Sequence, residues 1–453
     1  MKYLRQSLAI VLALGVIGNA TAAVTAEEAE QLGTTLTALG AEKAANMDGS
    51  IPEFTNTPIT PPADYESESG YYPDPYKDEK PLFSIDASNM DQYADKLSEG
   101  TKQLLKRWPS YRIDVYPSHR TGTYSQWVAE NTLRNATSAK LVADGSGVEG
   151  AYGGTPFPIP KNGAEVIWNS FLFPTPTAVD TQSAGYLVDK TGRVTQTSVS
   201  NMYKEFPYYD TESTSLEGLS YFKFLSTGVE PARSAGDKSL GSYSIDYSKQ
   251  DFLVWLYTTG QRRVRMAPET KYDALSGASG QMFDEFHTYS GQPDKYDWKL
   301  IGKQELYIPY NPYRAAFGDA EKDITPQYFN PDALRWELHR VWVVEGNLKP
   351  GQSHTKPKRV FYVDEDTWAI ALADSYNSDG ELSRLIQGLT FEMYGNGEQP
   401  STTYVGSNIA YNLEKGSYVY QGHYNGPGLY VLPIEKRDPS ETSSDSMGGS
   451  GIR

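Results

Sequence analysis

There is no cysteine among the 453 residues of this chain, which removes disulfides, thiolate metal sites and a cysteine nucleophile together. Histidine is nearly as scarce: the five stand at 119, 287, 339, 354 and 423, with no HExxH pair among them. Neither a GxSxG nucleophile elbow nor a phosphate-cradling glycine loop occurs. Positive charge is in deficit, 41 Lys and Arg against 57 Asp and Glu, for a net charge of −16. Nucleic acid is therefore excluded as a partner, because phosphate binding needs clustered Lys and Arg. Long apolar runs are missing as well. Leu8–Ile17 falls well short of the ~20 residues that cross a bilayer. These absences leave no catalytic residue, no metal ligand set and no cofactor motif to assign, and the reading is of a non-enzymatic protein.

What the N-terminus does contain is the layout of an export signal over residues 1–22. Lys2 and Arg5 precede the apolar run, and Ala20-Thr21-Ala22 is a small-x-small cleavage site before Ala23. With no cysteine at the cleavage point, the mature chain is not lipid-anchored and is expected free in the periplasm. Without disulfides in that oxidising compartment, its fold must be held by its core.

Aromatic residues and breakers are plentiful: 34 Tyr, 15 Phe and 8 Trp, with 40 Gly and 28 Pro. This composition suits short strands joined by turns. Residues 23–436 read as one domain in three stretches. In the first, 23–88, Thr25-Ala26-Glu27-Glu28 caps a short helix ended by Gly33 or Gly40, and the Pro-rich stretch 52–81 forms an extended strap over the body. The second, 89–184, holds a helix over Asn89–Trp108, capped by Ser88 or Asn89, and another over Asn162–Phe171 whose Ile167, Trp168 and Phe171 share a face. Between them the alternation of 110–124 suits an edge strand. The third, 185–436, is strand after strand, with turns at 190–192, 258–261, 364–367 and 376–380, and reads as one antiparallel meander that must curl to hide its edges. The polar tail 437–453 is expected to be disordered.

Both faces of the strands are apolar. Phe252, Val254 and Leu256 alternate with Leu253, Trp255 and Tyr257, so one face packs on helices and the other lines either a hollow or a sandwich core. Trp255, Tyr257, Tyr307, Trp342 and Trp368 are the candidates for lining a hollow. Arg263 and Arg265 share a strand face beside Arg262 and are candidates for an anionic headgroup or an acidic partner. Salt bridges to the surplus carboxylates are the alternative for them and for Arg335, Arg340 and Arg359. His339, in ELHRVWVVE, reads as a hydrogen-bonded structural histidine. Asp364, Glu365 and Asp366 lack the ligand spacing of a calcium loop and read as an exposed hairpin turn.

Several segments resemble one bacterial family, in order along nearly the whole mature chain: GAEKAANMDGSIPEF (40–54), YPDPYKDEKPLFSI (72–85), DVYPSHRT (114–121), GGTPFPIPKNG (153–163), GQRRVRMAP (260–268), YDWKLIGKQELYIPYN (296–311), NPDALRWELHRVWVVE (330–345) and RVFYVDEDTWAIALAD (359–374). That family carries a domain-of-unknown-function label, number 1329, and is commonly called outer-membrane lipoprotein-sorting. It is distantly similar to the LolA/LolB carriers, on the DEDT and NSDG turns and on the WLYTTGQRRVR hairpin with the Phe283-Asp284-Glu285-Phe286 that follows. The resemblance implies a mainly β fold with accessory helices: a large curved antiparallel sheet, an unclosed β-barrel of LolA/LolB type lidded by helices. It further implies a carrier or adaptor for a hydrophobic ligand, either lipid or lipoprotein acyl chain, moving between inner and outer membrane. A resistance-nodulation-division type inner-membrane transporter and an outer-membrane β-barrel are its implied partners. The rival readings are a structural partner of such a barrel and a polysaccharide-binding module.

Overall fold

A computed structural model describes residues 24–268, 272–276, 279–395 and 401–449; the expected signal segment lies outside them. Alternation and turn chemistry produce one dominant sheet of 16 strands, whose two ends do not pair with each other, so it is not closed into a barrel. The fold class expected from the sequence is thus the one observed. Among the described residues no helix is long and apolar enough to cross a membrane.

The sheet consists of two meanders. One runs Ala178–Val188, Val194–Glu205, Ser220–Glu230, Lys238–Ser244, Leu253–Thr258 and Arg263–Met266. The other runs Trp336–Leu348, Lys358–Asp364, Ile370–Tyr376, Leu382–Met393, Thr402–Asn412 and Ser417–His423, with Tyr296–Pro309 paired outside it. They join where Ser417–His423 pairs antiparallel with Ala178–Val188. The single meander expected from 185 onward is therefore two, and its last strands close back on its first. Hairpins are written locally in turn residues, but this pairing spans more than 200 residues and leaves no local signal.

Apolar residues cover both faces. On one, Leu104 and Leu105 of the helix Glu99–Arg107 are fully buried against Leu385 and Leu389, each contributing about 1.5–3 kcal/mol. On the other lie Ile167, Trp168 and Phe171 of the helix Gly163–Phe171, Val128, and Tyr72 of the strap. Where Leu382–Met393 pairs with Thr402–Asn412 the register shifts: Leu389 lies opposite Ser407 and Thr390 opposite Val405, leaving Gly406 as the extra residue of a β-bulge. Leu385 and Leu389 pack in the first cluster, Phe391 and Met393 in the second.

Several local expectations change. The helix expected over 89–108 breaks at Leu97, which is extended, into a 3₁₀ segment Met90–Lys96 and the helix Glu99–Arg107, capped by Ser98. Of the edge strand expected over 110–124, only Arg112–Val115 is strand, and it lies between Phe83–Asp86 and Trp336–Leu348. The helix Gln126–Ser138, capped by Ser125, was not anticipated, because its Asn, Thr and Ser content masks the periodicity. The tail expected to be disordered carries the short helix Ser444–Gly449, whose Met447 is buried beside Leu240 and Tyr257. That single apolar residue gives the segment a docking point.

The start of the helix Glu99–Arg107 sits on a buried carboxylate. Gly100 N–H and the Tyr362 hydroxyl donate to Asp374 Oδ2 at 2.9 and 3.2 Å. Burial pushes Asp374 from its ordinary 3.8 up to about 7. The folded state therefore binds this proton more tightly than the unfolded chain. The stability contribution is complete below about pH 4, falls as pH rises from 4 to 7, and is flat above. Asp374→Asn, which keeps an acceptor oxygen, is expected to gain about 1–3 kcal/mol over wild type at pH 8 and almost nothing at pH 4. Urea unfolding at the two pH values measures the gap; a gap independent of pH would refute the assignment.

Candidate functional site

On the strap-covered face the layers do not meet everywhere. A cavity of about 640 Å³ remains, within the range of about 300–1,000 Å³ found for small-molecule sites. Tyr65 and Tyr72 of the strap form one wall, and Tyr124, Trp127 and Val128 at the start of the helix Gln126–Ser138 another. The loop 174–177 and Tyr209, with Met393 and Tyr394 from the sheet, complete it. Each wall has a local cause. Pro174 and Pro176 hold their loop away from helical geometry. Ser125 accepts from Val128 N–H at 3.3 Å and so fixes the direction of the first helical turn.

Three of the five lining tyrosine hydroxyls are committed to the scaffold. Tyr394 donates to the Pro73 carbonyl and Tyr209 to that of Leu172, both at 2.6 Å, while Tyr124 accepts from Ala38 N–H at 3.0 Å. What they leave to the cavity is ring surface. Thr123 Oγ1 differs: it lines the cavity, is buried, and has no hydrogen-bond partner in the protein. At the rim Lys436 pairs with Asp210 at 2.8 Å and Glu212 at 3.0 Å. Asp210, Thr211, Glu212, Glu435 and Lys436 give the cavity one polar side, so it suits an amphipathic ligand whose apolar part lies against the rings.

The residues expected to line a hollow are not brought together there. Trp342 and Trp368 stack at 6.4 Å, with Trp368 fully buried and its Nε1–H donating to the Leu39 carbonyl at 3.1 Å. Tyr307 lies in the cluster on the other face, near Phe83 and Tyr93. Trp255 and Tyr257 pack with Leu240 and Met447 in a third. None of the five lines the 640 Å³ cavity. The signals that could have pointed to the lining of this cavity are aromatic clusters in breaker-rich segments, YYPDPY at 71–76 and PYYD at 207–210.

The arginines divide. Arg263 and Arg265 are on the exposed edge strand Arg263–Met266, where charge also discourages edge pairing. Arg335 pairs with Glu337 at 2.5 Å and Glu79 at 2.7 Å, Arg340 with Glu365 at 3.4 Å, and Arg359 with Asp284 at 2.8 Å. The acids of the FDEF segment are thus buried ion-pair partners: Asp284 of Arg359 and, at 2.9 Å, His354; Glu285 of Arg384 at 2.5 Å.

The turn Asp364-Glu365-Asp366 is buried, not exposed as its composition suggested, with each residue no more than 3% accessible. The N-terminal segment around Leu39–Lys43 covers it, held by Arg120. That guanidinium makes two hydrogen bonds to Asp366, at 2.6 and 2.9 Å, and donates to the carbonyls of Glu42, Lys43 and Pro52. Lys303 reaches Glu365 at 2.7 Å. His339 is fully buried next to the turn, Nε2 bonded to Glu337 at 3.2 Å and its ring stacked 3.9 Å from that of Tyr310. Burial opposes its protonation, but the Glu337 hydrogen bond and the charge of Asp364 outweigh that and raise its pKa. Burial, then Asp366, raises that of Asp364. Neither His339 nor Asp364 lines the cavity.

Comparison with known proteins finds sequences and structures similar to this chain. Uncharacterized protein PA3922 of Pseudomonas aeruginosa is 40% identical over 432 residues, 92% of this chain and 91% of that protein. A DUF1329 family protein from Desulfovibrio piger has a solved structure similar over 62% of this chain and 96% of its own, at 14% identity and TM-score 0.43. A domain from Vibrio parahaemolyticus named for outer membrane lipoprotein sorting is similar over 63% and 97%, at 10% identity and TM-score 0.43. LolA superfamily protein NE2245 from Nitrosomonas europaea is similar over 63% and 99%, at 10% identity and TM-score 0.35. The family profile described as Protein of unknown function (DUF1329) matches residues 84–447, and the chain belongs to that family.

Proposed function

We propose that this protein is a periplasmic carrier or adaptor that holds a hydrophobic ligand, such as a lipid or acyl chain, in the cavity beneath its strap, without chemical turnover. The observation that carries this reading is the 640 Å³ cavity walled by five tyrosines, three of which spend their hydroxyls on the backbone. A site that binds by ring surface gains from apolar burial, about 0.8 kcal/mol per methylene. Ten methylenes thus supply about 8 kcal/mol toward extraction from a membrane. Thr123 offers a buried hydroxyl with no partner in the protein, suited to the carbonyl or hydroxyl at the head of such a chain. Release requires a partner or membrane that binds the ligand more tightly, or displacement of the strap. The layout of an export signal expected over residues 1–22 supports a periplasmic address.

The direct test is titration of the purified mature protein with a fluorescent fatty-acid probe, displaced by unlabelled phospholipid. Saturable binding near one equivalent, competed by lipid and not by soluble oligosaccharide, is expected. Probe fluorescence unchanged by protein would reject a lipid-binding role, and competition by oligosaccharide would favour the polymer-binding alternative.

A further inference from the structure

We propose that His339, Asp364 and Asp366 form a binding site for one divalent transition-metal ion of the zinc class, clamping the buried turn to the strand Trp336–Leu348. The three donors come from two paired strands and the turn that follows them. Val341 is the cross-strand partner of Asp364, which carries His339 to the side of the turn. His339 Nδ1 then lies 3.7 Å from Asp364 Oδ1. A ligand atom from each of the three residues lies within 4.8 Å of the other two, and all three residues are buried.

Two features separate this cluster from an ordinary group of buried acids. The first is the direction of the imidazole. Its Nε2 faces the Glu337 carboxylate, which can only accept, so that nitrogen carries the hydrogen, and Tyr310 fixes the plane of the ring. In the neutral ring Nδ1 is then a lone pair aimed at Asp364. Metal-binding histidines are held in this way, with a carboxylate on the far nitrogen. The second feature is unmet polarity. Asp364 Oδ2 accepts from the Thr367 N–H and hydroxyl at 3.0 and 2.7 Å, but Oδ1 is buried with no hydrogen-bond partner in the protein. Two acceptors thus face each other across a gap too long for a hydrogen bond. The gap is close to the separation, about 3.4 Å, of two donors on one tetrahedral zinc ion. Tyr310 adds an independent sign: its hydroxyl is buried and also has no partner. The Tyr310 ring stacks 3.9 Å from that of His339, which ties this unmet group to the same cluster.

Donor chemistry selects the ion. One imidazole and two carboxylates suit zinc(II), manganese(II) or iron(II), whereas copper(I) prefers sulfur, and calcium takes six to eight oxygens. Arg120 already balances Asp366, and Lys303 and Arg340 balance Glu365. Asp364 has no Lys or Arg ion pair among the described residues, which leaves its charge to be balanced by a proton on His339 or by a metal.

The test uses full-length mature protein freed of metal with a chelator and titrated calorimetrically with zinc chloride. We expect one equivalent bound below micromolar Kd, a rise in Tm with zinc, and visible ligand-field bands of a four-coordinate centre with cobalt(II). Asp364→Asn and His339→Gln are expected to weaken zinc at least about 100-fold. Because either variant could fail to fold, nitrogen NMR of wild type gives a second reading: Nδ1 of His339 shifts on zinc addition and Nε2 does not. No zinc binding by wild type, an unmoved Nδ1, or an Asp364→Asn variant that folds and titrates like wild type would each overturn the assignment, leaving a proton on His339 as all that fills the gap.

Discussion

Arg120→Leu is expected to destabilise the protein by about 3–5 kcal/mol, the cost typical of removing one partner from a buried charge pair. The guanidinium is 2% exposed and lies 2.6 Å from Asp366 and 3.5 Å from Glu365. It also satisfies the carbonyls of Glu42, Lys43 and Pro52 and sits over the Phe54 ring. Leucine has the apolar bulk for that ring but leaves a buried carboxylate and three carbonyls without their donor. Chemical unfolding should show the loss, and limited proteolysis should show where it falls. Cleavage between residues 38 and 56 is expected to accelerate first, because Arg120 ties that segment to the turn. Arg263→Leu, on the exposed edge, should change stability by less than about 0.5 kcal/mol. Equal effects of the two substitutions would contradict the role given to Arg120.

The second large effect concerns the cavity. Thr175 lines it from the loop between Pro174 and Pro176, so Thr175→Trp places an indole in the space assigned to the ligand. Excluding three or four methylenes costs about 3 kcal/mol of binding, or roughly a 100-fold rise in Kd for a long-chain fatty-acid probe. Because the new ring occupies space that already exists, Tm should move by only a few degrees. Tyr307→Phe, on the opposite face of the sheet, serves as control and should leave probe binding at the wild-type value. If Thr175→Trp binds the probe normally, the ligand does not occupy this cavity.

Much of the fold could be read from residue order, and the reason is local physics. Thr25 and Glu28 form the capping box that their spacing suggests, and Asn162 caps the helix whose Ile167, Trp168 and Phe171 do share the core. The turns at 190–192, 258–261 and 364–367 each connect the strands their sequences suggest. Long-range placement was not legible. Nothing near Asp364 indicates that Leu39 to Lys43 will cover it, and an Asp-Glu-Asp-Thr turn is ordinarily solvated. The same limit applies to the cavity. Strand aromatics such as Trp342 and Trp368 are conspicuous but pack as core, whereas Tyr65, Trp127 and Tyr209 lie in loops or in an unrecognised helix. Only the strap, docked over the sheet, brings those three together. His339 was legible as a hydrogen-bonded strand histidine; its unsatisfied partner Asp364 was not, because burial of a turn depends on what folds over it.

The central claim is that the cavity beneath the strap carries an apolar ligand. Its most direct test is native mass spectrometry of the protein isolated from the periplasm, followed by solvent extraction and lipid analysis of the same sample. The account predicts an added mass matching a lipid or acyl-chain compound, lost on extraction and absent from Thr175→Trp. Protein at its bare polypeptide mass that also takes up no added fatty acid or phospholipid would contradict it.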